Sequence, residues 1–217
     1  MVHSAEQPDA ARGLRAAGVQ RTRHNVVAAV RERMIEAGYH GLSLEQVAED
    51  AGITRVTIYR QFGSKLGLLQ AVADDLAQQG HAAERLGAAV TIPDASTAFR
   101  SLVSELCRFW DTDPPLFRRM VSLSAVDPEA RQVIQTREQW RYDGIHALVN
   151  RLADEHRLRA PFGADQAIAT ITAVTSFPAC DQIATTLGVS FIQLPELLLP
   201  LLGAVLNLKP SGPVERP

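Results

Sequence analysis

The sequence is poor in the residues that build disulfide frameworks and zinc sites. It has two cysteines among 217 residues, Cys107 and Cys180, and neither belongs to a CxxC or Cys/His spacing. Because free cysteine commonly behaves as a small apolar residue, we interpret both as core residues in a reducing compartment, with a redox switch as the open alternative. His81, His146 and His156 show no ligand spacing with one another, so neither a metal nor any other cofactor is expected.

Long uninterrupted apolar runs are also missing. The most apolar run, "FIQLPELLLPLLGAVLNL" from Phe191, is interrupted by Gln193, Pro195, Glu196 and Pro200, which argues against a membrane span. The N-terminus lacks a positively charged start followed by an apolar segment, which argues against secretion. We therefore expect a soluble, cytoplasmic protein with no membrane partner.

Motifs of the common enzyme classes do not occur. The chain has no glycine-rich phosphate loop, no GxSxG elbow and no HExxH motif. Catalysis by scattered acids on a helical scaffold stays open, but no residue pattern favours it. We assign no catalytic residue and interpret the protein as a non-enzyme.

The net charge of −2 is small, but it is unevenly distributed. Residues 12–65 carry nine Arg or Lys against five Asp or Glu, a net charge of +4, whereas residues 66–217 carry 13 basic and 17 acidic residues, a net charge of −4. A basic head on an acidic body fits a head that meets phosphate groups and a body that does not.

Helical periodicity dominates the chain and predicts an all-α protein. Apolar residues recur at spacings of three and four in segments rich in Ala, Leu, Glu, Gln and Arg, without alternating β-branched runs. We predict a flexible arm over residues 1–19, a three-helix head over 20–76, a larger helical body over 77–208 and a disordered tail over 209–217. The body helices are expected near 95–111, 115–125, 128–158, 164–187 (kinked at Pro178) and 195–207.

Two short helices joined by a glycine turn lie within the head. The first helix of the head, about 21–37, ends at Gly38. Ser43 can cap the next with Gln46 in a capping box, Gly52 supplies the turn, and Thr54 caps the third. This arrangement predicts a helix-turn-helix, whose second helix enters the major groove of DNA.

The third helix has two kinds of face. Ile58 and Phe62 stand four residues apart and are expected to point inward. The polar residues must then face outward or along the rim; they are Arg55, Thr57, Tyr59 and Arg60.

The segment "LSLEQVAEDAGITRVTIYRQFGSKLGLL" resembles the DNA-binding head of the tetracycline-repressor (TetR) family. The resemblance covers residues 22–76, and Thr57, Tyr59, Phe62 and Lys65 fall in register with the family pattern. Val56 departs from it, since a small Gly, Ala or Pro is commoner there. "KLG" departs as well, since it replaces the usual Lys-Glu-Ala/Asp and places Gly67 inside a helix, at a cost of roughly 1 kcal/mol.

The resemblance implies roles for seven residues of the head. It assigns phosphate contacts to Thr54, Tyr59 and Lys65 and brings Arg55, Val56 and Arg60 towards base edges, with Thr57 on the same helix. Arginine reading guanine through two hydrogen bonds is the commonest specific contact. It also implies a homodimer on double-stranded operator DNA, a repressor released by a small-molecule effector, and an effector cavity in the helical body.

The body itself carries no family motif. Its aromatic and sulfur side chains are candidates for lining an apolar or aromatic effector site, although core packing is an equally good reading of each one: Phe99, Trp110, Phe117, Met120, Trp140 and Phe177. Arg141 and His146 are candidates for the mouth of that site. Residues 164–207 are expected to build the dimer interface, and a monomer is expected to expose six of their apolar side chains: Leu194, Leu197, Leu198, Leu201, Leu202 and Val205. The alternative is a helical ligand-binding or adaptor protein whose helix-turn-helix does not read DNA.

Overall fold

Good helix formers make up most of the chain. The computed structural model describes residues 7–208, with side chains from residue 17 onward. It is all-α over these residues. The all-α prediction is confirmed. Residues 1–6 of the predicted arm and the predicted tail, 209–217, lie outside the described residues. The helices, in chain order, are α1 (Gln7–Ala37), α2 (Leu44–Asp50), α3 (Arg55–Phe62), α4 (Lys65–Gln79), α5 (Ala82–Val90), α6 (Ala95–Trp110), α7 (Pro114–Val126), α8 (Pro128–Asp154), α9 (Ala164–Val174), α10 (Phe177–Leu187) and α11 (Leu194–Leu202).

The chain divides into two compact units between Asp75 and Leu76, within α4. Our prediction placed this boundary after residue 76. In the first unit, α1 contributes four buried apolar side chains to the core: Val26, Val27, Val30 and Met34. Val47, Ile58 and Leu68 add side chains from α2, α3 and α4 to the core.

The second unit is organised by α6, which contacts α5, α8 and α11. Its apolar stripe is buried along its length and includes Phe99, Leu102, Val103 and Leu106. Asp94 caps this helix by accepting a hydrogen bond from the backbone N–H of Thr97 at 2.7 Å.

Several helix boundaries differ from the predicted ones. α1 begins at Gln7 rather than near residue 21. The segment 7–20 is rich in alanine, which favours helix even where the segment has no apolar face. α5 lies in a stretch that we left without a helix. The predicted helix 164–187 is two helices, since Ser176 caps α10 and Pro178 occupies its first turn, where proline is tolerated, instead of kinking a continuous helix.

α8 and α11 are both shorter than predicted, ending at Asp154 and Leu202. The residues that follow them pair with each other across an antiparallel bridge between Leu158 and Leu206. The backbone N–H of Asn207 donates to the carbonyl of Arg157 at 2.7 Å. This pairing satisfies backbone groups that would otherwise have continued the two helices.

Gly67, a departure from the TetR pattern, has a steric explanation. A Cβ atom at this position would lie 1.9 Å from the carbonyl oxygen of Phe62, much closer than van der Waals contact permits. The loop that ends α3 therefore passes so near to the first turn of α4 that only glycine fits.

We expect Gly67→Ala to destabilise the protein by about 1–3 kcal/mol, as overpacking does, although alanine is otherwise the better helix former. Gly87→Ala is the matched control, because a Cβ there meets no atom within 4 Å. It should leave stability unchanged or raise it by up to about 1 kcal/mol. Thermal unfolding followed by circular dichroism measures both, and a Gly67→Ala protein as stable as the parent would contradict the steric explanation.

Candidate nucleic-acid interface

Local hydrogen bonds cap the starts of α2 and α3 and hold the turn between them. Ser43 caps α2 by accepting from the backbone N–H of Gln46 at 3.4 Å, and Thr54 caps α3 by accepting from Thr57 at 3.3 Å. Between them Gly52 has a φ of 65°, in the left-handed region that favours glycine. The backbone N–H of Ile53 donates to the carbonyl of Ala48 at 2.9 Å. These contacts set the direction in which α3 leaves the turn.

The rotation of α3 about its own axis is set by two buried side chains, as predicted. Ile58 is 1% exposed and Phe62 is 9% exposed, and the guanidinium of Arg23 lies over the Phe62 ring at 4.9 Å. The opposite side of the helix faces solvent: Val56 is 76% exposed and Tyr59 is 45% exposed. The helix therefore offers one outward face on a fixed frame.

The seven predicted DNA-binding residues are distributed over this face and the start of α4. Five of them are exposed, namely Thr54, Arg55, Val56, Tyr59 and Arg60. Thr57 is half-buried and shares a 3.1 Å hydrogen bond with the hydroxyl of Thr54. Lys65 is half-buried too.

Arg55, the predicted base reader, is held by two neighbours. Its guanidinium forms an ion pair with Glu45 of α2 and donates to the hydroxyl of Tyr59 at 3.4 Å. The pKa of Arg55 is raised, mainly by the hydrogen bond with the Tyr59 hydroxyl and next by the negative charge of Glu45. The pKa of Glu45 is lowered by hydrogen bonds from its own backbone N–H and from Ser43, and then by Arg55. Glu45 therefore competes with any other acceptor for the Arg55 guanidinium.

Lys65 is positioned by residues that sequence reasoning missed. Its ammonium donates to the carbonyl of His40 at 3.2 Å and lies 4.9 Å from the centre of the Tyr39 ring. Partial burial lowers the pKa of Lys65. The loop between α1 and α2 thus holds the lysine at the start of α4. Tyr39 and Lys65 are separated by α2 and α3, so no local sequence pattern indicates this contact.

Another head cation, Arg33, is engaged within the unit. Its guanidinium makes two hydrogen bonds with the carboxylate of Asp50, at 2.8 and 3.0 Å, which ties α1 to the end of α2. The carboxylate raises the pKa of Arg33, and the guanidinium lowers the pKa of Asp50. Arg33 and Asp50 therefore offset each other, and the net charge of +4 over residues 12–65 resides on other side chains.

The predicted effector residues of the body form a cluster of rings. Trp110 and Phe117 meet edge to face at 5.0 Å, and Phe117 stacks on Phe177 at 5.0 Å. Phe109, which we did not single out, contacts Trp140 at 5.3 Å and joins the cluster. Phe99, Trp110, Phe117 and Met120 are buried, whereas Trp140 is half-buried.

A cavity of about 370 Å³ opens beside this cluster, between α7, α8 and the start of α10. Of the six predicted effector residues, Phe177 contributes to its wall. Arg141, which we placed at the mouth of the site, also lines the cavity but is 2% exposed, so it lies in the interior. His146 is exposed and is not part of the wall.

The two cysteines, distant in sequence, come together in the body. Both are buried and free. A hydrogen bond with Cys180, together with burial, raises the pKa of the Cys107 thiol. The Cys107 thiol therefore resists ionisation, and the burial of both side chains fits their interpretation as core residues.

Two absences apply to the described part of the chain. Within residues 7–208, no three His, Cys, Asp or Glu side chains are grouped so as to hold a metal ion. Over the same residues no single helix is long and apolar enough to cross a membrane, and by length and composition α10 with residues 191–202 qualifies only as a pair bent by 100°.

The sequence of the head matches known proteins. Residues 26–72 match the family described as bacterial regulatory proteins, tetR family. The chain is 32% identical over 106 residues to the HTH-type transcriptional regulator AlkX of Mycobacterium tuberculosis, covering 49% of this chain and 44% of that one. It is 38% identical over 69 residues to the HTH-type transcriptional regulator SrpR of Pseudomonas putida, covering 32% and 31% of the two chains. The match thus spans less than half the length of either relative.

Solved structures share the fold over nearly the whole of their length. The transcriptional regulator FadR of Bacillus subtilis, solved in complex with stearoyl-CoA, superimposes with a TM-score of 0.68 at 18% identity, covering 82% of this chain and 96% of that one. The fatty acid degradation regulator FadR of Bacillus halodurans gives a TM-score of 0.69 at 16% identity, covering 90% and 97%. At such low identity these likenesses describe the fold alone.

The Arg55–Glu45 pair generates a prediction for DNA binding. Glu45→Gln removes the internal competitor for Arg55, so we expect DNA to bind about two- to fivefold more tightly, the scale of an exposed ion pair. Fluorescence anisotropy with a labelled duplex measures the change. Glu49→Gln on the same helix alters the net charge equally without touching this pair; equal tightening by both variants would show that Glu45 does not restrain Arg55.

Proposed function

We propose that this chain, whose residues 26–72 match the tetR family of bacterial regulatory proteins, is a cytoplasmic transcriptional regulator, a repressor that binds a palindromic operator as a homodimer. The observation that carries this proposal is the outward face of α3, where Arg55, Val56, Tyr59 and Arg60 stand exposed on a capped helix anchored by two buried side chains. An effector that enters the body and weakens operator binding completes the function.

Each head presents one helix of eight residues, and three or four of its side chains can reach base edges. Such a small contact gives little affinity alone, so two heads on one duplex are required. A symmetric dimer implies two inverted half-sites, centred about 34–36 Å apart or at the spacing that the bodies impose.

Selection from a random duplex library with the intact protein tests the proposal. We expect enrichment of an inverted repeat, bound with nanomolar affinity and released when the effector is added. If no sequence is enriched, the alternative is favoured, namely a helical ligand-binding or adaptor protein whose helix-turn-helix does not read DNA.

The dimer interface that we propose lies within residues 164–207, but only some of the residues expected there are available to it. Leu194, Leu198, Leu202 and Val205 are buried within the single chain, so they belong to the core and would stay covered in a monomer. Leu197 and Leu201, which were expected there as well, are exposed, and so are Leu187 and Ile192. Apolar side chains grouped at a surface are typical of an interface between subunits.

Contacts of different kinds should respond differently to salt and sequence. Lys65→Ala should weaken binding to all duplexes about equally and reduce the slope of log affinity against log salt by about one, because one phosphate contact is lost. Arg55→Ala should cost roughly 1–3 kcal/mol on the selected operator and relax the preferred base at one position in each half-site. Titrations at several salt concentrations separate the two; an unchanged sequence preference after Arg55→Ala would remove Arg55 from the reading role.

Leu197 and Leu201 stand one turn apart on α11 and are 42% and 54% exposed. We expect Leu197→Glu combined with Leu201→Glu to convert the dimer into a folded monomer, because four like charges would face each other across a symmetric interface. Sedimentation velocity gives the mass and circular dichroism the folding. Val126→Glu, at an exposed residue of α7, should leave the dimer intact; a double variant that stays dimeric would place the interface elsewhere.

A further inference from the structure

Arg141 is a charged side chain placed almost entirely in the interior of the body. It lies on α8 and is 2% exposed, although arginine is seldom buried without partners. One terminal nitrogen donates to the carbonyl of Thr172 on α9 at 3.0 Å, and the other donates to the carboxylate of Glu138 at 3.2 Å. The side chain therefore bridges α8 and α9 within the wall of the cavity.

The hydrogen-bond inventory of Arg141 is incomplete. Its guanidinium has five N–H donors, and the Nε–H is buried without an acceptor among residues 7–208. An unsatisfied buried donor on a charged group is costly, and native proteins rarely retain one without a role. Arg141 lines the cavity, so a ligand in that cavity can supply the missing acceptor once a small shift of the guanidinium brings the buried Nε–H to the cavity surface.

The charges around the cavity favour an anion. Its lining contains two guanidinium groups, Arg131 and Arg141, and one carboxylate, Glu138. Arg131 donates to the carbonyls of Ser124 and Ala125 near the end of α7, at 2.7 and 3.1 Å, which leaves Arg141 as the cation with an unused buried donor among the described residues of the wall. One positive charge in this lining is not balanced.

The remainder of the cavity wall favours an anion that carries a compact apolar group. Val121, Ile134 and Phe177 provide apolar surface, and Phe177 belongs to the stacked rings described above. The volume of about 370 Å³ is at the lower end of the range for small-molecule sites, about 300–1,000 Å³. The cavity therefore suits a ligand of one or two rings or a short alkyl chain.

We propose that this cavity binds a small organic carboxylate, with a carboxylate oxygen accepting the Nε–H of Arg141 and the apolar or aromatic part lying against Phe177, Ile134 and Val121. The inference rests on the proposed function in one respect, since the carboxylate is the effector only if the protein is the proposed regulator. Binding itself requires no DNA and can be measured separately.

Isothermal titration calorimetry of the intact protein with 2-naphthoate and 2-naphthamide tests the proposal. The two probes share their rings and differ in charge, so we expect the carboxylate to bind at least about tenfold more tightly, the scale of a charge-assisted hydrogen bond. Octanoate and octanamide repeat the comparison with a flexible apolar part. Equal binding of acid and amide in both pairs, or binding of neither acid, would overturn the proposal.

Variants of the wall identify the group responsible. Arg141→Met should abolish the preference for the acid over the amide, whereas Arg137→Met, one turn earlier on α8 and outside the cavity wall, should preserve it. Glu138→Gln should strengthen acid binding by removing a nearby negative charge and leave amide binding unchanged. The Glu138→Gln result decides the matter if Arg141→Met proves to be unfolded, and weaker acid binding in Glu138→Gln would contradict the proposal.

The same protein, titrated with operator in the presence of 2-naphthoate, separates this inference from the proposed function. Acid-selective binding without DNA binding would support the cavity assignment and refute the regulator. DNA binding without acid-selective binding in the calorimeter would support the regulator and refute the cavity assignment.

Discussion

The outward face of α3 depends on the burial of Ile58 and Phe62 on the opposite side of the helix. These two side chains, four residues apart, determine which side of the helix is covered and therefore which side chains remain outside. The Thr54 cap and the turn at Gly52 determine where the helix begins and which way it points. Neither set of contacts involves a ligand, so the outward face is organised before any partner arrives, and binding need not supply the free energy to order it.

Much of this head could be predicted from the sequence because its determinants are local. A cap acts over three residues and a glycine turn over one, and the period of the apolar residues identifies the inward side of a helix. Gly67 could not be explained by local rules. Helix propensity predicts that a glycine there destabilises α4, but the carbonyl of Phe62 in the preceding helix leaves no room for a Cβ atom. The ion pair of Arg55 with Glu45 was also missed, since it joins two helices whose approach depends on the turn.

The body was less predictable because its decisive features are tertiary. Apolar periodicity identified α11 but not which leucines face inward, so Leu198 and Leu202 were assigned to a subunit interface when they lie in the core. The aromatic residues were chosen by type, and most pack against one another, whereas the cavity is lined mainly by side chains of mixed polarity. Arg141 was placed at a mouth because charged residues are usually exposed. Its burial depends on an acceptor on α9, the carbonyl of Thr172, which no sequence pattern indicates.

The central claim, that the outward face of α3 lies in the major groove, can be tested with chemistry at a single atom. The native thiols are buried, so a cysteine introduced by Val56→Cys can be labelled selectively with an iron chelate that cleaves nearby DNA. Val126→Cys on α7 is the control, because the two valines are similarly exposed, at 76% and 71%. The account predicts cleavage from position 56 at one symmetric pair of sites within the selected inverted repeat and none above background from position 126. Equal cleavage from the two positions, or none from position 56 on a duplex that the labelled protein binds, would contradict it.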